Sequence, residues 1–312
     1  MEKEFQPIDI ESHVFVIPVK TIISLEDLEL FKKSPTFNEI INFIVALQKS
    51  VEGATCKEAQ PSEYLTKIDD LLAKLSNYVD EVKPLTQPMR FGNKAFKVWI
   101  DKIKDNFSEL MNPLLPAKFK KAEIELKEYF IDCFGSYDRI DYGTGHELNF
   151  IAFLYILFKC ELIKKTDFKS LILRTFVSYN MLIRKLLDIY VLEPAGSHGV
   201  WGIDDYIFLP FLFGASQLLK SSLTPQSIRE DALQLKYEDD YMYFSCVKYI
   251  RSVKKSVPLS EGSPLLYDIS GTPSWTKVSR GMVKMYCAEV MQKHPIIKHL
   301  RFGSILKFAP KK

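Results

Sequence analysis

What this sequence lacks removes several classes of protein. Its five cysteines, Cys56, Cys133, Cys160, Cys246 and Cys287, are scattered, odd in number and without a CxxC pair. That excludes a disulfide framework and a zinc-binding thiol cluster, and points to reduced thiols in the cytoplasm or nucleus. There is no Lys/Arg block or basic-aromatic stripe, and the net charge is only +3, so nucleic acid is not an expected partner. The most apolar run, "LNFIAFLYILFKCELI", reaches charge after about a dozen residues, short of the ~20 needed to span a bilayer. It is expected to be a helix buried inside a large globular body, and no membrane association is expected. The first residues, "MEKEFQPIDIESH", are acidic and polar, unlike a signal peptide. No internal repeat is visible, and period-2 alternation is scarce, chiefly "HVFVIPV" near the start.

Helical periodicity fills most of the rest. "SPTFNEIINFIVALQKSV" opens with Ser34 as a cap before Pro35 and carries apolar residues at Phe37, Ile40, Ile41, Ile44 and Val45. "PSEYLTKIDDLLAKLSNYVDEV" repeats the pattern after a polar connector. "NKAFKVWIDKIKDNFSELMNPLL" and "PAKFKKAEIELKEYFIDCFG" are further helices separated at Pro113 and Pro116. "TDFKSLILRTFVSYNMLIRKLLDIY" predicts about seven turns, capped by Thr166 or Asp167. "DDYIFLPFLFGASQLL" predicts a helix bent at Pro210, and "TPSWTKVSRGMVKMYCAEVMQKH" another. The fold class is all-α, with dense aromatic packing. The length, 312 residues, suits one large domain or two smaller ones.

Three stretches could carry chemistry. In "YDRIDYGTGHELNF" the turn Gly143-Thr144-Gly145 leads into the most apolar helix. Open amides at a helix start attract phosphate, and Arg139 can clamp a phosphate oxygen. The competing reading is a plain turn with Arg139 in a salt bridge. The GK[ST] ending of a P-loop is missing. "HELNF" lacks the second His of HExxH, so His146 is expected to be a hydrogen-bonded helix-start residue. In "EPAGSHGVWGIDDYIFLPF", Asp204 and Asp205 are either helix-capping carboxylates or Mg²⁺ ligands. "GSHG" fails the GxSxG spacing, so Ser197 and His198 are not a nucleophile pair. Val200, Trp201 and Tyr206 could line an apolar pocket. "SGTPSWTKVSRGMVKMY" places Trp275 at a helix start, as core. "HPIIKHLRFGS" reads as a helix end with polar residues lining something.

Together "FGSYDRIDYGTGHELNF", "EPAGSHGVWGIDDYIFLPFLFGASQL", "TPSWTKVSRGMVKMYCAE" and "HLRFGSIL" resemble the phosphotyrosyl phosphatase activator family, activators of serine/threonine protein phosphatase 2A. The resemblance runs from about Phe37 to Leu306. It implies one all-α domain over 1–312 with core, linker and lid lobes, and a deep pocket for ATP with Mg²⁺ completed by the phosphatase catalytic subunit. It also implies promotion of that subunit's metal-loaded, active conformation, alone or scaffold-bound, and an associated peptidyl-prolyl cis-trans isomerase activity. By this resemblance Arg139, Thr144 and Gly145 contact the nucleotide, Pro295, Ile296, His299 and Leu300 hold its adenine side, and Gly199 and Asp205 serve the metal. A prolyl peptide as ligand and a peptide-induced homodimer belong to the same expectation. The alternative is a stand-alone prolyl isomerase acting on other proteins.

Overall fold

The computed structural model describes residues 5–60, 62–86, 91–196, 199, 202–255 and 257–308. Val200, Trp201, Ser197 and His198 lie outside the described residues. In the first half the helices are α1 (Leu25–Lys32), α2 (Pro35–Ser50), α3 (Glu63–Glu81), α4 (Ala95–Asp105), α5 (Phe107–Met111), α6 (Glu123–Asp132) and α7 (Thr144–Lys159). Then follow α8 (Phe168–Ser170), α9 (Val177–Tyr190), α10 (Leu209–Gln217), α11 (Asp231–Tyr237) and α12 (Met242–Val253). The last are α13 (Leu259–Gly262), α14 (Pro264–Ser270), α15 (Trp275–Tyr286) and α16 (His294–Ile297). Four two-residue strands pair off: β1 (Val19–Lys20) antiparallel with β4 (Arg301–Phe302), and β2 (Asp141–Tyr142) parallel with β3 (Glu193–Pro194). The fold is all-α.

The apolar run of α7 lies in the middle of one continuous core: every residue from Glu147 to Phe158 is buried. Aromatic rings knit it to its neighbours. Phe153 meets Phe130 of α6 at 5.0 Å, and Phe150 stacks on Tyr179 of α9 at 3.8 Å. Such pairs add to the area they bury. Among the described residues no helix is long and apolar enough to cross a membrane.

Local signals explain where helices start. Ser34 Oγ accepts from the Phe37 amide, with Pro35 at the first helical position, where a missing N–H costs nothing. Trp275 is core, its indole N–H donating to the Leu223 carbonyl.

Four expectations are corrected. "HVFVIPV" is not a strand beyond Val19–Lys20, and Val14, Val16 and Ile17 are exposed. Among the described residues its only pairing partner is the two-residue β4, and Pro18 has no N–H for a longer ladder. The helix expected from Asp204 begins only at Leu209, because Asp204 folds back to accept from the amides of Tyr206 and Ile207. Pro210 therefore sits in the first turn and bends nothing. The seven-turn helix to Tyr190 is interrupted, with a 3-10 turn at Lys165–Asp167 and π-helical turns over Leu171–Phe176. The 95–111 helix breaks at Asn106, whose side-chain amide donates to the Lys102 carbonyl.

Replacing Phe153, fully buried in α7, checks the core assignment. Phe153→Ala should cost about 3–5 kcal/mol in chemical denaturation. Phe153→Asp should not fold, because it buries an unpaired charge. A soluble Phe153→Asp chain with a normal melt would refute the placement.

Candidate functional site

A cavity of about 590 Å³ opens where α6 ends, α7 begins and α16 crosses. The turn after α6 makes one wall. Gly135 and Ile140 both take left-handed backbone conformations, and Ser136 bridges to Asp141, so the chain reverses tightly and delivers Arg139 to the rim. β2 then runs alongside β3, and the Ala195 amide donates to the Tyr142 carbonyl at 2.8 Å.

The two glycines of the turn have a steric purpose. Neither adopts a left-handed conformation. A Cβ on Gly143 would stand 3.0 Å from the Ala195 carbonyl oxygen, and one on Gly145 would stand 3.2 Å from Ile296 Cγ2. The first lets the 193–196 segment lie against α7; the second lets α16 do so. Gly143 is the cap of α7 and has no side chain to satisfy the helix. Among the described residues the amides of Thr144 and Gly145 have no acceptor. They are a ready anion site at the positive end of the helix dipole.

Both readings of Arg139 hold together. Its Nε and a terminal nitrogen donate to the two Asp141 oxygens at 2.6 and 3.2 Å. The side chain is nevertheless 48% exposed and lines the cavity, so it is oriented yet reachable. Burial works against the Asp141 carboxylate, but hydrogen bonds from His146 and Arg139 outweigh it and hold the group below its ordinary range. His146 is the hydrogen-bonded helix-start residue expected: its Nδ1 lies 2.6 Å from the Asp132 carbonyl. Lys20 and Lys298 add charge to the lining, while Pro295 and Ile296 give it an apolar wall. His299 also lines it, and burial together with repulsion from Arg139, Lys20 and Lys298 pushes its imidazole down to about 4. It is therefore neutral at physiological pH.

Of the expected site residues the cavity thus brings together Arg139, Gly145, Pro295, Ile296 and His299. Thr144 is half-buried beside it, contributing backbone only, and Leu300 is buried in the core. Gly199 and Asp205 are not among its lining residues. The Asp205 carboxylate lies 3.5 Å from Lys254 Nζ. Tyr206 is also elsewhere, its hydroxyl donating to the Leu192 carbonyl. Among the described residues no cluster of three or more His, Cys, Asp or Glu could hold a metal ion.

Comparison with known proteins decides the family. Residues 18–308 match the family described as phosphotyrosyl phosphate activator (PTPA) protein. The chain belongs to the PTPA family. It is 40% identical over 304 residues to the probable serine/threonine-protein phosphatase 2A activator 1 of Dictyostelium discoideum, covering 96% of this chain and 93% of that one. It is 37% identical to the serine/threonine-protein phosphatase 2A activator 1 of Schizosaccharomyces pombe, with the same coverage. The crystal structure of the PP2A phosphatase activator Ypa1 PTPA1 superposes with a TM-score of 0.90 at 32% identity, covering 98% of this chain and 99% of that chain.

One residue of this PTPA chain escaped sequence reasoning. Glu147 lies fully buried, and its Oε2 accepts from the amides of Phe208 and Leu209 at 3.0 Å each, capping α10 from across the core. Among the described residues its other oxygen has no partner. Burial pushes the carboxyl up to about 8, against the two backbone bonds. In the sequence Glu147 appeared only as the middle of a failed HExxH. A lone acid at the head of a wholly apolar helix was the available signal.

Two pH effects follow. The Glu147 carboxyl ionises near 4.5 when unfolded and near 8 when folded. The folded state binds the extra proton between those values, so stability should fall as pH rises through that window, by up to ~1.4 kcal/mol per unit. Glu147→Gln should flatten this slope in denaturation curves from pH 5 to 8; an unchanged slope would exclude the assignment. His299 runs the other way: it ionises near 6.5 when unfolded but about 4 when folded. Its contribution should be lost as pH drops from 6.5 toward 4. Tripolyphosphate in the cavity should offset the surrounding cations and raise the His299 ring titration seen by NMR. No upward movement would mean that the anion binds elsewhere.

Proposed function

We propose that this chain activates serine/threonine protein phosphatase 2A, binding ATP-Mg²⁺ in the cavity at the head of α7 and promoting the metal-loaded, active conformation of the phosphatase catalytic subunit. The observation that carries the reading is the open Gly145 amide, next to that of Thr144, in the lining of the cavity that Arg139 also lines, in a chain similar along nearly its whole length to proteins named phosphatase 2A activators.

The donor set suits a polyphosphate. The α7 amides meet one phosphate without reorganising, and Arg139 can share its guanidinium between Asp141 and a phosphate oxygen. Lys20 and Lys298 balance the remaining charge. Pro295 and Ile296 offer an apolar wall to a base, and neutral His299 can hydrogen-bond to it without repelling Arg139. Bound Mg²⁺ would neutralise phosphate oxygens, and it needs few protein ligands when phosphates and water supply the rest. Asp205 does not line the cavity, so to serve the metal it would have to leave Lys254 and move toward the phosphates. The cavity's open side is where the catalytic subunit, free or scaffold-bound, would complete the site. Five free thiols suit a cytoplasmic or nuclear location. Prolyl isomerase activity on a peptide, with peptide-induced pairing of two chains, is the associated reading. It would draw on Val200 and Trp201, which lie outside the described residues.

Calorimetric ATP titration in a Mg²⁺ series, an unliganded melt and a phosphatase reactivation assay test the reading together. Arg139→Ala should weaken ATP binding roughly ten- to a hundredfold, the loss of about 1.5–3 kcal/mol expected for a charge-assisted bond. Gly145→Asp should abolish binding, because its carboxylate repels phosphate and its Cβ presses on Ile296. Asp205→Asn should reduce only the Mg²⁺-dependent part. All three should lower reactivation. Wild-type ATP affinity in Gly145→Asp would sink the assignment. A Gly145→Asp chain that simply unfolds would make the glycine structural and leave Arg139→Ala to decide. Full prolyl-peptide turnover without phosphatase or ATP would favour the stand-alone isomerase.

A further inference from the structure

A second cavity, of about 380 Å³, shares no lining residue with the first. Three cations face it from two elements. Arg229 ends the 3-10 turn Pro225–Arg229; Arg251 and Lys254 sit one turn apart at the end of α12. Asp231 is the only carboxylate in the lining.

Arg229 is the unusual member. Its guanidinium lies 3.9 Å over the Tyr267 ring, and its Nε donates to Ser270 Oγ at 2.7 Å. Its terminal nitrogens donate to the hydroxyl and carbonyl oxygens of Tyr267. Every one of these acceptors is neutral, and among the described residues no carboxylate stands within ion-pairing distance. The charge is held rigidly but not neutralised. Arg251 pairs with Asp231 and donates to the Arg229 carbonyl, while its Nε is buried without an acceptor. Lys254 donates to the Gly262 carbonyl at 2.7 Å. Asp231 itself is 75% exposed, so water weakens its compensation.

The lining therefore carries three cations against one solvated carboxylate; Asp205, outside the lining, pairs with Lys254 at 3.5 Å, and among the described residues Arg229 is the cation left without an acid. The hydroxyls of Ser260 and Tyr267 stand beside them. A dianion with several acceptor oxygens fits this set, and fixed guanidinium forks favour phosphate geometry. The cavity also has an exposed apolar lip of Val257 and Pro258, with Val257 44% exposed, above the buried Leu259. A bare ion would leave that lip in water. A peptide side chain bearing the phosphate would cover it with its neighbours.

We propose that this cavity docks a phosphorylated serine or threonine carried on a protein segment with apolar flanking residues. The test is fluorescence anisotropy with a fluorescein-labelled peptide holding one phosphoserine between leucine and valine, its unphosphorylated twin, and inorganic phosphate as competitor. The phosphopeptide should bind at least tenfold tighter than its twin. Inorganic phosphate should displace it only in large excess. Arg229→Gln should weaken binding roughly tenfold, the typical worth of one charge-assisted bond. Lys254→Gln should weaken it less, and serves as the readout if Arg229→Gln alters the unliganded melt. Arg139→Ala, in the first cavity, should leave it unchanged. Three results would each overturn the proposal: equal binding of both peptides, inorganic phosphate binding as tightly as the phosphopeptide, or loss in Arg139→Ala with none in Arg229→Gln or Lys254→Gln.

Discussion

The structure turns on a carboxyl group where none should be comfortable. Glu147 sits inside the most apolar helix, excluded from water, and its Oε2 takes up two amides at the start of α10. An uncapped helix end in a core would leave those amides unpaired at a cost of about 1–3 kcal/mol each. One side chain thus joins the head of α7, buried from Glu147 to Phe158, to that of the wholly buried α10. The same end of α7 is tied twice more. His146 bonds to the Asp132 carbonyl of α6, and the Tyr142 hydroxyl meets Tyr179, which in turn donates to the Cys133 carbonyl. With three fixings within six residues, the open amides of Thr144 and Gly145 are held in place before any ligand arrives, and preorganised donors lose little on binding.

Charge around the first cavity is arranged to be competed for. Arg139 lies against Asp141, and Arg301 against Asp132 and Glu128. Each cation is oriented by a carboxylate that also discounts its attraction for a ligand. Arg301 is committed to two acids and half-buried, so it belongs to the wall. Arg139 has one acid and an exposed face. The His299 imidazole is pushed down first by burial and then by nearby cations. With Lys20, Lys104, Lys127, Arg139, Lys298 and Arg301 set against Glu128, Asp132, Asp138 and Asp141, the lining keeps a modest excess of positive charge, which favours an anion.

Much of this was legible in the sequence. The all-α class, the Ser34-Pro35 start, the burial of the 148–158 run and the gathering of Arg139, Gly145, Pro295, Ile296 and His299 were all accessible to periodicity, capping chemistry and motif resemblance. What was missed has a common physical cause. Periodicity extends a helix until something polar interrupts it, and it cannot see an interruption made by distant atoms. Asp204 withholds the chain from helix until Leu209, and the π-helical turns at Leu171–Phe176 carry no marker residue. Gly143 and Gly145 read as a turn opening its amides to phosphate, yet each also marks a close approach by a segment far along the chain. Glu147 was hidden because a helix-periodic reading assigns an acid in the first turn to solvent or to the helix dipole.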